Sequence, residues 1–119
     1  MTLTRAEILA AKDIEIVEIK VPKWGGSIWV KSLSAREREE FEAALFGTGK
    51  LELHNIRAKM ASLAVCDENG NPLFTEEDIE ELNKKNTAVL QKIFVKCQEL
   101  SGIGDKVVEK LAKNSSSTP

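Results

Sequence analysis

The sequence predicts an α+β fold, mainly α, with an N-terminal β-hairpin packed against a bundle of about four to five helices. Three observations carry that expectation. Three short segments share the grammar of a helix start, one stretch alternates apolar and charged residues, and residues 87–100 show a wide apolar stripe at helical spacing. With 119 residues, 42% of them hydrophobic and 30% charged, the chain is the size of one domain and too apolar to be disordered. Folding at this length buries roughly two-thirds of the surface exposed by the unfolded chain.

The helix starts come first. Thr4 with Glu7, Ser34 with Glu37, and Thr75 with Asp78 each place a hydroxyl three residues before a carboxylate. The hydroxyl can accept from the backbone N–H three residues on, and the carboxylate can reach back to the N–H of the cap. Asp78 is one methylene shorter than Glu, so the third box is expected to be the weakest. The first start opens a short helix ending near Lys12.

Between the first two starts lies the β signal. Val17, Ile19 and Val21 alternate with Glu18 and Lys20, the period-two pattern of a half-buried strand. Pro22, Lys23, Trp24, Gly25 and Gly26 break the run, and the two glycines can supply positive φ for a turn. Ile28 and Val30 then alternate with Trp29 and Lys31, so residues 14–33 read as a hairpin. An isolated hairpin is marginal in water, so this one must pack on helices or pair with another strand.

The remainder reads as helical. Residues 34–46 expose a charge run and put Phe41, Ala44 and Leu45 on one face. Residues 51–66 carry Leu53, Ile56, Met60 and Leu63 at helical spacing, after an interruption at 47–50. A polar turn spans 67–72, and a short helix spans 75–83. Residues 87–100 form the strongest helix, with Val89, Leu90, Ile93, Phe94, Cys97 and Leu100 on one stripe. Gly102 ends it, residues 104–113 form a last short amphipathic helix, and 114–119 are a disordered tail. Residues 1–113 are thus read as a single domain.

Several function classes are disfavoured. The formal charge is −2, from 17 basic and 19 acidic residues, without the basic excess of a dedicated nucleic-acid binder. No apolar run approaches the roughly 20 residues that span a bilayer, and the N-terminus lacks the basic-then-apolar pattern of a secretory signal. Cys66 and Cys97 stand far apart, as small core thiols in a reducing cytoplasm would. His54 is the single histidine, with no spacing that suggests a triad or a zinc site, so neither enzyme nor metal or cofactor chemistry is expected. Asp67 to Asn71 alternates oxygen ligands, but Pro72 and Asp78 stand where a calcium loop needs Gly and Glu. Gly47, Thr48, Gly49 and Lys50 resemble the end of a phosphate loop, yet lack its first Gly, the following hydroxyl and the preceding strand.

Two features keep a binding role open. Gly102, Ile103 and Gly104 look like the turn of helix-hairpin-helix DNA-binding modules, where backbone N–H groups face a phosphate, with Lys106 and Lys110 nearby. Asp105 beside that turn opposes a phosphate, and a glycine helix cap explains the same residues more simply. Trp24 and Trp29 both lie on the hairpin, Trp24 at its tip, and an exposed Trp is a frequent binding anchor. The expected partner-binding residues are therefore Trp24 and Trp29, with Ile56, Met60 and Phe94 on the apolar helix faces.

The order of features adds one more reading. Residues 3–9 and 21–26, then 30–42, 66–75 with 78–82, and 100–104 together resemble the phage tail assembly chaperones of long-tailed bacteriophages and prophages. Such a resemblance implies a factor of the host bacterial cytoplasm that coats the long helical tape measure protein and recruits major tail tube subunits. It also implies absence from the finished virion. Members are often made in two forms, the longer by a programmed ribosomal frameshift, so a longer form of the chain itself joins the expected partners. An exposed hairpin edge would further allow a homo-oligomer.

Overall fold

The computed structural model describes residues 1–46, 49 and 53–103. Most of the interruption at 47–50, residues 51–52 of the expected 51–66 helix, the 104–113 helix and the 114–119 tail lie outside the described residues, while residues 53–55 form a turn before the helix proper, with Asn55 at φ 60°.

Helix α1 (Arg5–Ala10) opens with the expected capping box. Glu7 N–H donates to Thr4 Oγ1 at 3.2 Å, and Thr4 N–H donates to Glu7 Oε1 at 3.0 Å. Those bonds hold the Glu7 carboxyl below its usual range, the backbone N–H of Thr4 contributing most. None of the helix's residues is buried.

Strands β1 (Ile16–Val21) and β2 (Gly26–Lys31) pair antiparallel, with Ile16 opposite Lys31 and Val21 opposite Gly26. One 3-10 turn at Pro22–Trp24 joins them, closed by Gly25 N–H on Pro22 O at 3.0 Å. Gly25 sits at φ 78°, so one glycine of the pair supplies the left-handed residue this four-residue loop requires.

The hairpin has a third strand that the sequence reading placed in a helix. Helix α3 runs Ile56–Ala64, and Val65–Cys66 leave it as β3, with Val65 opposite Val30 and Cys66 opposite Trp29. Val65 is β-branched, and the open edge of β2 offers its backbone a ladder, so tertiary pairing overrides the local helical period. The turn that follows is the polar one expected. Asp67 Oδ1 accepts from Asn69 N–H at 2.8 Å and Asn71 N–H at 2.9 Å, and these bonds, that of Asn71 foremost, hold its carboxyl below the usual range.

Helix α2 (Ala35–Phe46) starts on the Ser34 and Glu37 box, with bonds of 2.9 and 3.2 Å. Its buried residues are Phe41 and Leu45, whereas Ala44 stays exposed. Glu37 also meets Lys31, which is buried although the strand alternation pointed it to solvent. The start of α2 covers that end of the strand and supplies the countercharge.

The expected 75–83 helix comes in two pieces, a 3-10 turn at Glu76–Asp78 and helix α4 (Ile79–Leu82). Its box is formed from the half expected to fail. Thr75 N–H donates to Asp78 Oδ2 at 2.8 Å, while Asp78 N–H goes to the Thr75 carbonyl at 3.0 Å. A 3-10 turn is tighter than an α turn, which brings the shorter Asp side chain within reach.

Helix α5 (Thr87–Leu100) matches its expected bounds, and Asn86 Oδ1 caps it by accepting from Ala88 and Val89 N–H at 3.0 and 3.3 Å. Packed with α3 beneath the sheet, it forms the core from Met60, Ala61, Val65, Val30, Ile93, Phe94 and Cys97. Phe41 of α2 meets Phe94 with ring centroids 6.2 Å apart and planes tilted by 57°, within the centroid range of interacting aromatic pairs. Cys66 and Cys97 are both buried free thiols.

Candidate partner-binding groove

The five residues expected to contact a partner are not brought together. Ile56, Met60 and Phe94 are core side chains, with Met60 fully buried, so they hold the fold and offer no surface to a partner in this conformation. Their helical spacing was read correctly, but the face it marks is covered by the chain's own helices, α3 packing mainly on α5, α4 and α2. Trp29 is half-buried on β2, beside Leu73 and the 67–69 turn, where it lines a small cavity of about 330 Å³. Trp24 is exposed by 36%.

Trp24 stands over a shallow groove of about 400 Å³, lined also by Phe74, Asp78, Glu81, Leu82 and Lys85. Each wall follows from local structure. The 3-10 turn and left-handed Gly25 fold Trp24 back from the hairpin tip. Phe74 comes from the extended segment after β3, and its other side packs on the core. Leu82 is buried at the end of α4, forming the floor, while Asp78 and Glu81 stand one helical turn apart on the rim. The groove thus has an apolar bed and an acidic edge of Asp78 and Glu81. Lys85 is its one cation among the lining residues. Such a surface suits an amphipathic segment carrying an apolar side chain beside basic ones.

Phe74 and Leu82 were not singled out from sequence. The signal available was the dense acidic run from Glu76 to Glu81 directly after an apolar pair, Leu73 and Phe74. A second open cavity, of about 700 Å³, lies on the far side of Phe74, between α2, α3 and the 72–76 segment.

The turn at Gly102 is a helix cap. Gly102 takes φ 72°, its N–H donates to Glu99 O at 3.2 Å, and Ile103 N–H donates to Gln98 O at 2.8 Å, with Ile103 buried. This is a Schellman ending. The N–H groups of Gly102 and Ile103 are thus bonded inside the chain and neither is free to face a phosphate; Gly104 lies outside the described residues.

The phage tail assembly chaperone family matches residues 4–114, a span that takes in the hairpin, the groove and every described helix save the first residues of the chain. The chain belongs to that family. The chaperone is also similar in structure to the bacteriophage HK97 tail assembly chaperone, at 14% identity and a TM-score of 0.61, covering 84% of this chain and 95% of that one. At that identity the likeness concerns the fold, an α+β architecture that is mainly α. No curated protein matches the sequence. Among the described residues the chaperone has no cluster of three or more His, Cys, Asp or Glu able to hold a metal, and no helix long and apolar enough to cross a membrane.

Proposed function

We propose that this chaperone binds the tape measure protein through the Trp24 groove and brings tail tube subunits to it during assembly, leaving before the virion is complete. The observation that carries this reading is the groove's chemistry, an apolar bed of Trp24, Phe74 and Leu82 beside the acidic rim of Asp78 and Glu81. A long helix waiting to be enclosed in a tube exposes apolar stripes, and shielding them reversibly calls for a shallow site rather than a deep one. The acidic rim favours stretches where Lys or Arg flank the stripe, and it makes capture fall with added salt. Host cytoplasm is the compartment proposed, supported by two cysteines kept as free thiols. A longer frameshifted form of the chain is proposed as a further partner.

Trp24→Ala removes the exposed wall without opening the core. It is expected to abolish or sharply reduce co-purification with the tape measure protein, while circular dichroism and the unfolding midpoint stay close to those of the wild type. Undiminished co-purification would overturn the groove as the binding site. Mass spectrometry of purified virions addresses the other half of the proposal, and recovery of the chain there in stoichiometric amounts would refute its departure.

A further inference from the structure

The sheet order is β1-β2-β3, so among the described residues β1 leaves one edge without a strand. Ser32 N–H donates to Glu15 O at 2.8 Å, which fixes the alternation along the ladder: Val17, Ile19 and Val21 turn their backbone groups to β2, and Ile16, Glu18 and Lys20 turn theirs outward. In keeping with this, the Lys20 carbonyl accepts from Lys92 Nζ at 2.7 Å rather than from β2. Lys92 is the one described side chain bonded to that edge, while Glu18 and Lys20 are exposed.

The sequence along this edge, Val17, Glu18, Ile19, Lys20 and Val21, is self-complementary when reversed about Ile19. We propose that β1 is an interface for a second copy of this chain, joined antiparallel about a two-fold axis at Ile19. In that register Glu18 lies opposite Lys20 of the other copy, Val17 opposite Val21, and Ile19 opposite itself. Both members of each Glu18 and Lys20 pair are the residues whose backbone groups already face outward, so the two pairs supply a main-chain ladder as well as opposite charges. Shifting the axis to Glu18 or Lys20 sets like charges face to face, which selects the Ile19 register over its neighbours. Pro22, lacking an N–H, ends the ladder beyond Lys20. Residues directly opposite in an antiparallel pair share a face, so the buried Ile19 and Val21 stay on the core side and the sheet runs on through six strands. Lys92 shields this edge in the single chain, as a cation beside an open strand commonly does, and its bond to Lys20 competes with pairing.

The test is a charge exchange read by sedimentation across the micromolar range. Wild-type chain is expected to form a dimer. Glu18→Lys and Lys20→Glu alone are each expected to weaken self-association about tenfold or more, since both pairs become like-charged. An equimolar mixture of those two variants, and the double variant Glu18→Lys with Lys20→Glu, should both recover the dimer, which mere misfolding would not. Lys92→Ala should strengthen association. A wild-type chain that stays monomeric throughout, or single variants that dimerise as the wild type does, would overturn the interface.

Discussion

Helices α5 and α1 are both opened by side-chain caps, yet they end in opposite circumstances. Asn86 caps α5, and six of its residues are buried; Thr4 and Glu7 cap α1, and none of its residues is. Ile8 and Leu9 of α1 stay 56% and 68% exposed. A helix of six residues is marginal alone, so a good capping box defines where it starts without giving it a place in the core. Capping is a local property and burial a tertiary one, and this chain separates the two.

The widest test of that contrast is truncation of one aliphatic side chain in each helix. Ile93→Ala, at a fully buried position of α5, should cost about 2–5 kcal/mol in denaturant unfolding, from lost transfer energy and the cavity left behind. Leu9→Ala in α1 should change stability by less than about 0.5 kcal/mol, as surface substitutions do. A comparable loss from both would show that α1 is packed in solution after all.

A second comparison sits within α5. Gln98 is 1% exposed, and among the described residues neither its Oε1 nor its Nε2 has a hydrogen-bond partner. An orphaned buried amide is costly, so Gln98→Leu should raise stability by about 1–3 kcal/mol if the shape is tolerated. A loss in the same experiment would mean that the amide finds partners in solution.

Removing the caps sharpens the point further. Asn86→Ala should lower global stability by about 0.5–2 kcal/mol. Thr4→Ala is expected to leave the unfolding midpoint in place and to speed amide exchange only in residues 5–10, because the helix it starts is not coupled to the core. Equal shifts of the midpoint would contradict the separation of the two helices.

At neutral pH the smallest effect comes from the thiols. Burial pushes Cys97 up from 9.0 to about 11, partly opposed by the Ser101 hydroxyl, and burial likewise raises Cys66. A thiol whose folded pKa is raised stabilises the fold fully below its unfolded pKa, and that contribution is lost as pH climbs through the folded value. Stability should therefore be flat near neutrality and decline between pH 9 and about 11, with a shallower decline in Cys97→Ala. An identical slope in both proteins would assign the alkaline loss to other groups.

Legibility in the sequence followed the same division. The hairpin, the bounds of α5 and the capping residues at Thr4 and Ser34 were readable, because each depends on residues within one turn or one strand. Val65 and Cys66 were misplaced because their partner strand lies more than thirty residues earlier, and no local period encodes that pairing. The groove was half readable. Trp24 was marked by its place on the hairpin tip, whereas Phe74 and Leu82 join it only once β3 and α4 are docked.

By itself the sequence determined the elements, through alternation, helical spacing and caps, and it determined the ordered motifs that carry the family resemblance. Tertiary structure decided which apolar faces are spent on the core. Ile56, Met60 and Phe94 looked as available as Trp24 in sequence, since a stripe of apolar residues is the same pattern whether it faces the chain's own helices or a partner. Burial depends on what packs opposite, and that is a property of the whole fold.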